Sequence, residues 1–326
     1  MKKGERVTII DVARVAQTTP QTVSRALRNA PDISESTRKR ILRIAADMNY
    51  VKNNIASSLR RGNSGLIAVI YDNVINLYFS VMINYLQFCL KDYGYSILTS
   101  AILETKLGRE AYLSAVSHNV DGIISFIEPN EDVSALIEQH GVPVLLFGRR
   151  TDVPHVDCIY GDDVTGGEIG ARALLQCGCK RPAFLSESLE ITCAYDRFQG
   201  MKNVTAENGL PDPQYIYVHN ENLGEHLKTA LADLQTSPDG FFCFNDMIAF
   251  ELQEFFEKNG IPPVPVVGYD DVQSEIRIPG RLTTVGLNKR LFAERAADIL
   301  LNRIRHSDAK ATALKEEVFL VKGETA

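Results

Sequence analysis

The sequence predicts an α/β core of two doubly wound parallel-sheet lobes behind an N-terminal all-α helix-turn-helix head. Three observations predict it. Short, capped helical patterns crowd the first fifty residues, β-runs then alternate with amphipathic helices, and the two regions carry opposite charge. The 326 residues exceed one small domain, and 45% apolar with 23% charged is ordinary globular composition.

The head comes first. Thr8 stands three residues before Asp11 and ahead of Ile9, Ile10, Val12, Ala13 and Ala16. That is capping-box spacing, and it predicts a helix of about two turns. Gln17-Thr18 breaks the pattern. Thr19-Pro20 restarts it, with proline at the first helical position, where its missing N–H costs nothing. Val23, Ala26 and Leu27 give this second helix a narrow buried stripe, and Ser34 caps a third whose inner face is Ile41, Ile44, Ala45 and Met48. Two short helices across a tight turn, braced by a third, form a helix-turn-helix pattern.

The outer side of the second helix carries Gln21, Thr22, Ser24, Arg25 and Arg28. Gln and Arg can pair bidentately with adenine and guanine edges, and hydroxyls suit phosphate or base contacts. The same residues would also make an ordinary solvated face. Cap spacing, the apolar stripes and the charge distribution together favour DNA. Residues 1–61 hold thirteen Lys/Arg and five Asp/Glu, a net of +8, so the remainder carries −14 within a chain of −6. A basic head on an acidic body concentrates phosphate attraction in one module. Residues 53–61, Asn-Asn-Ile-Ala-Ser-Ser-Leu-Arg-Arg, are too short and polar to be a stable helix alone. They read as a linker able to become one.

After Gly62-Asn63-Ser64-Gly65 the core begins. Leu66–Tyr71, Ser96–Ser100, Gly122–Ile127 and Val142–Phe147 read as strands of one parallel sheet. Pro182–Ser186, Tyr215–Val218, Gly240–Phe244 and Val264–Tyr269 read as strands of a second. The amphipathic stretch Asn288–Arg305 is expected to cross back to the first lobe. The domains are therefore a head at 1–61, with its hinge at about 53–61, and a core at 62–326. Lobe 1 spans about 64–160 plus 289–307, and lobe 2 about 161–288 plus the C-terminal strand.

Ligands in open α/β sheets sit beyond the carboxyl ends of the strands, so polar residues there are the candidates. Asp72 follows the first strand, with Tyr78 and Phe79 shortly after; Asn245-Asp246 follows Phe244, and Asp270-Asp271 follows Tyr269. Arg197, in Asp196-Arg197-Phe198, is expected to open a helix. Carboxylates, amides and an arginine beside aromatic rings suit a polyhydroxylated ligand. Each has a plainer use. Asn245-Asp246 and Asp270 could cap the segments they precede, Tyr78-Phe79 could be core, and Arg197 could pair with Asp196 or a surface acid.

Several classes are set aside. No GxxxxGK[ST], GxSxG or HExxH motif is present, and 165–170, Thr-Gly-Gly-Glu-Ile-Gly, does not fit GxGxxG. No catalytic residue, metal ligand or cofactor is expected. The six cysteines (Cys89, Cys158, Cys177, Cys179, Cys193, Cys243) are scattered, mostly in apolar contexts, and read as reduced core thiols, which fits a cytoplasm. No stretch reaches the ~18 apolar residues of a membrane span, and no opening run resembles an export signal.

Val7–Ala13 (VTIIDVA), Thr22-Val23-Ser24-Arg25, Ser34–Arg38 (SESTR) and Asn49-Tyr50 resemble the head of the lactose-repressor/galactose-repressor (LacI/GalR) family, and the resemblance continues through the whole chain. It implies a periplasmic-binding-protein-like core and a repressor that binds operator DNA under control of a small effector, a sugar or sugar derivative. It places base reading on Pro20, Gln21 and Arg25, and phosphate or supporting contacts on Thr8, Thr19, Thr22, Ser24 and Ser34. Proline at the first reading position lacks a polar tip and leaves Gln21 the stronger reader; the family's turn glycine is Gln17 here. The hinge would start at Asn53 and include Ala56, with Leu59 as a minor-groove wedge that unstacks a base step. Lys52 replaces the usual proline. The resemblance also places Arg197, Asn245, Asp270, Tyr78 and Phe79 on effector-contact positions, with Asp162 matching an Asp-Asn pair. Arg149 falls on a frequent arginine whose role stays open.

After the last β-run, Glu317–Val321, five residues remain, too few for the heptad helix that tetramerises some relatives, so a homodimer is expected. The rival from another class is a solute-binding protein of a sugar transport system. It would need an export signal and would lack the basic head.

Overall fold

Capping chemistry sets the start of each head helix in the computed structural model, which describes residues 7–51, 63–72, 75–218, 223–230, 237–276 and 282–326. The chain divides into two compact units, Met1–Ser64 and Gly65–Ala326. In the first, α1 (Ile9–Val15) opens on a complete capping box: Asp11 N–H donates to the Thr8 hydroxyl, and the Asp11 carboxylate accepts the Thr8 N–H at 3.0 Å. Thr19 caps α2 (Pro20–Ala26) by accepting the Thr22 N–H at 3.1 Å, and Ser34 caps α3 (Glu35–Asp47) through Thr37. Val12, Ala13, Ala16, Val23, Ala26, Ile41 and Ala45 form the buried centre. Ile44 and Met48 pack on its edge. The turn between α1 and α2 passes through Gln17 at φ 48°, the left-handed region that favours glycine.

The second unit holds two six-stranded sheets. β1 (Leu66–Tyr71), α4 (Leu77–Asp92), β2 (Ser96–Ala101), α5 (Arg109–Ser117), β3 (Gly122–Ser125), α6 (Asp132–His140), β4 (Val144–Phe147) and β5 (Val156–Gly161) build the first lobe. The chain then makes α7 (Asp163–Gln176), β6 (Pro182–Ser186), α8 (Thr192–Glu207), β7 (Gln214–Tyr217) and α9 (Leu223–Ala230). β8 (Gly240–Cys243), α10 (Asp246–Asn259), β9 (Val266–Tyr269), α11 (Gln273–Ile276) and β10 (Thr283–Gly286) complete the second. α12 (Lys289–Arg305) shares the first lobe's core, with Phe292, Ala296 and Leu300 in one cluster with Ile67 and Leu86. β11 (Ala313–Glu316) then joins the first sheet and β12 (Phe319–Val321) the second.

The strand orders are β11-β5-β4-β3-β1-β2 and β12-β10-β9-β8-β6-β7. Both sheets are doubly wound. Alternate residues of β1 show why: Ile67 and Val69 enter one buried cluster, while Ala68 and Ile70 enter another on the opposite face. β6 divides likewise, Ala183 and Leu185 against Phe184.

The structure departs from expectation at four points. β12 runs antiparallel to β10, so the second sheet is mixed at that edge. β5, β10 and β11 are strands that the apolar pattern did not mark. Arg197 lies in the second turn of α8 and does not open it. Among the cysteines, Cys177 is exposed, whereas Cys158, Cys179, Cys193 and Cys243 are buried.

Candidate functional site

In the head, Pro20, Gln21 and Arg25 stand exposed along α2 and Arg28 in the turn after it, with Thr22 and Ser24 half-buried beside them. Thr8, Thr19 and Ser34 are also exposed, but their hydroxyls are engaged locally. Thr8 donates to the Asp11 carboxylate at 2.7 Å, Ser34 to Thr37 Oγ1 at 2.8 Å, and Thr19 and Thr22 share a 2.9 Å contact. Arg28 Nε donates to the Ser24 carbonyl at 3.2 Å. Arg25 makes an ion pair with Asp32, a residue that the sequence pattern did not single out. Asn53, Ala56 and Leu59, with the rest of the hinge, lie outside the described residues.

In the core, Arg197 is the centre of a buried cluster. Its Nε donates to Asp163 Oδ1 at 2.8 Å and its Nη1 to the Phe244 carbonyl at 2.5 Å. The guanidinium carbon lies 3.3 Å from the Tyr269 ring centroid and 4.8 Å from that of Phe244, a cation–π arrangement. Burial works against the Arg197 charge, but Asp163 beside it holds the guanidinium protonated. Burial raises the Asp163 carboxyl above its ordinary value, with Arg197 drawing it back. Burial also pushes Asp270 up to about 6, although Arg197 and Lys289 oppose this. Tyr78, reaching the same cluster from the first lobe, has its hydroxyl raised by burial and by the Asp270 charge. Asp270 and Asp271 stand at φ 98° and 49°, so the backbone after β9 turns twice through a region costly for non-glycine residues.

The sequence candidates separate on this geometry. Tyr78, Arg197 and Asp270 share one electrostatic neighbourhood. Asn245 caps α10, its Oδ1 accepting the Ile248 N–H at 2.9 Å. Asp162 caps α7 and pairs with Lys315 at 2.7 Å. Phe79 is buried against Tyr71 and Phe126 as part of the first lobe's core. Asp72 lies half-buried just past β1. Sequence reasoning missed Asp163, Tyr269 and Lys289, whose roles depend on distant partners.

Several contacts join the lobes around α8 and α11. Buried Glu128 accepts the Thr192 N–H at 2.7 Å and its hydroxyl at 2.8 Å, and also pairs with Lys106 at 2.7 Å. α8 has no side-chain cap of its own, so Glu128 caps it from the other lobe. Burial pushes the Glu128 carboxyl up, but Lys106, Thr192 and Arg149 together hold it below its ordinary value. Arg150 grips Asp196 bidentately at 2.7 and 3.0 Å, and the Tyr85 hydroxyl donates to Glu275 at 3.1 Å. A surface groove of about 710 Å³ lies apart from the Arg197 cluster, between α4 and α12. Its Arg290 and Glu294 neutralise each other at 2.9 Å, and nothing in it converges as the Arg197 cluster does.

Residues 8–53 match the model of bacterial regulatory proteins, lacI family, and residues 171–325 match that of a periplasmic binding protein-like domain. The HTH-type transcriptional repressor PurR of Vibrio parahaemolyticus is 26% identical over 313 residues, covering 92% of this chain and 93% of the relative. A crystal structure of the Lac repressor dimer bound to operator and the anti-inducer ONPF superposes with a TM-score of 0.81 at 24% identity, covering 98% of this chain and 99% of that one. A LacI-family regulator from Enterococcus faecium with bound ribose gives a TM-score of 0.71 at 19% identity, covering 80% and 98%. At these identities the structural likenesses speak for the fold.

Proposed function

We propose that this chain, with its lacI-family head and its periplasmic binding protein-like domain, represses transcription by binding a near-palindromic operator as a homodimer. Its release or retention on DNA is set by a small polar effector, a sugar or sugar derivative. The observation that carries the DNA half is the exposed pair Gln21 and Arg25 on a capped helix, with Arg28 exposed just past its end, in a +8 head. Acting on DNA, the protein works in the cytoplasm, and two-fold pairing of chains would present two heads to two half-sites.

The effector half rests on the core. Arg197 can donate, Asp270 can accept, and Tyr78 offers a ring face in the same neighbourhood, with buried Tyr269 backing the guanidinium, which suits a hydroxylated ring. The bound ribose of the Enterococcus faecium relative supports the sugar class. Asn245, Asp162, Phe79 and Asp72 would then act around the ligand more as frame than as direct contacts.

Selection from randomised duplexes, followed by mapping of bound genomic sites, tests the first half. Arg25→Ala is expected to lose base preference at one symmetric operator position, a bidentate contact worth ~1–3 kcal/mol; unchanged preference everywhere would remove Arg25 from base reading. Calorimetry against a sugar panel tests the second. Binding that survives unchanged in Arg197→Ala would move the effector elsewhere.

A further inference from the structure

Arg25 leaves the exposed side of α2, yet its guanidinium is not free to sweep through solvent. Nε donates to Asp32 Oδ1 at 3.2 Å, and Nη2 lies 2.6 Å from Asp32 Oδ2. A guanidinium offers two bidentate edges, a side edge of Nε and Nη2 and an end edge of Nη1 and Nη2. Asp32 takes the side edge. The end edge keeps two parallel N–H groups that no described residue occupies, and guanine O6 and N7 form the planar acceptor pair that fits it.

Asp32 is itself held in place. The segment after α2 turns at Asn29, φ 59°, and Ala30 N–H donates back to the Arg25 carbonyl at 3.0 Å. From α3, Arg38 Nη2 donates to the carbonyls of Ala30 and Ile33 at 2.9 and 3.1 Å, on either side of Pro31-Asp32. A braced carboxylate thus confines a long side chain that would otherwise lose its rotamer entropy on binding. The hydrogen bond from Arg25 holds the Asp32 carboxyl below its ordinary value, so it is an anion at any pH at which DNA is bound. The anion has a second consequence. It offsets the Arg25 charge and repels phosphates, which disfavours an arginine that merely slides along the backbone.

We propose that Asp32 is the positioning residue for base reading by Arg25, fixing the guanidinium end-on for guanine and exchanging nonspecific affinity for specificity. The proposal rests on the reading of Arg25 as a base-reading residue.

The test uses the full-length chain and a pool of duplexes randomised over about twenty base pairs, two half-sites one helical turn apart. Parent, Arg25→Ala, Asp32→Ala, Asp32→Asn and Asp32→Glu are compared for base preference at each position and for binding to unselected duplex. Asp32→Ala is expected to lower the preference for guanine at the position that Arg25→Ala abolishes, by roughly three- to fivefold for an exposed pair. It should also raise affinity for unselected duplex. Asp32→Glu should restore part of the preference, and Asp32→Asn, without the charge, less. Both side chains are about half exposed, 44% and 49%, so the melting temperature of the head should hardly move. Guanine preference that is unchanged or sharper in Asp32→Ala overturns the proposal. Should Asp32→Ala melt early, the Asp32→Glu and Asp32→Asn ordering decides, and equal preference in those two overturns it. If Arg25→Ala itself alters no position, the reading of Arg25 fails first, a result distinct from retention by Asp32→Ala alone.

Discussion

Asp270→Asn is expected to stabilise the ligand-free protein at neutral pH while removing its ligand response. The carboxyl ordinarily titrates at 3.8, and burial in the folded protein pushes it up to about 6. A shift of roughly two units at ~1.36 kcal/mol each sets a ceiling of about 3 kcal/mol on the cost of carrying the ionised group. The sign follows from which state binds the proton. Between 3.8 and about 6 the native state holds more protons than the unfolded chain. The stabilising contribution is therefore complete below 3.8 and is lost as pH rises through about 6. Asparagine does not titrate, keeps the size, and tolerates the φ of 98° better than other non-glycine residues. Urea melts of parent and variant from about pH 4 to pH 8 should converge at the acid end, draw apart up to about pH 6 and keep a constant gap above it, with the variant more stable. Asp246, pushed to about 8 by burial and in part by the Asp270 charge, adds a slope of the same sign, so the gap between the proteins reports Asp270 together with its effect on Asp246. A variant less stable than the parent, or a gap indifferent to pH, would refute the electrostatic account. Unchanged effector binding in calorimetry would refute the role of Asp270 in the site.

Gly200→Ala should destabilise the core by about 1–3 kcal/mol or more, because a Cβ there would lie 2.0 Å from the Val164 carbonyl oxygen where α7 and α8 cross backbone to backbone; an unchanged melting temperature would contradict that crossing. Gln17→Gly should stabilise the head by about 1 kcal/mol by relieving a left-handed glutamine, and a head that melts no later than the parent would count against strain at φ 48°. Leu59→Ala should reduce operator bending while leaving weak, salt-sensitive binding largely intact. Equal bend angles for variant and parent would remove the wedge role.

Local chemistry was legible in the sequence, and long-range pairing was not. Thr8, Thr19 and Ser34 cap their helices as the spacing demanded, because a cap depends on three or four neighbouring residues. Gln17 gave away the left-handed turn only by standing where a glycine is usual. β5 was obscured by Asp157, whose charge interrupts the apolar run and is matched by Arg303 at 2.8 Å, 146 residues away. β11, Ala-Leu-Lys-Glu, is an edge strand with half its residues exposed, and such strands carry no apolar signature. The Arg197 cluster was half legible. The arginine and Asp270 stood out, but the partner of Arg197 proved to be Asp163, not Asp196, which turns instead to Arg150. Asp32 escaped notice because its meaning lies in the loop geometry that returns it to Arg25.

One helix joins the candidate ligand site to the arrangement of the lobes. Within its first two turns, α8 carries Thr192, held by Glu128 of the first lobe; Asp196, held by Arg150 of the first lobe; and Arg197, which faces the buried cluster. The two holds differ in weight. Arg150 is 42% exposed, so its pair with Asp196 contributes little alone. Glu128 is 8% exposed, and removing any of its partners leaves a buried carboxylate short of compensation. The Glu128 contact is therefore the strongest of the ties between the N-terminus of α8 and the first lobe, where Thr192 also donates to the Arg150 carbonyl at 3.4 Å. On the proposed reading, a ligand seated on Arg197 bears on that helix two turns or less from the tie. It can shift the lobes only by its difference in affinity for their two arrangements, typically ~1–3 kcal/mol of coupling. That scale matches a few such hydrogen bonds made or lost at Glu128, so this contact needs no larger rearrangement to act as the element the effector biases.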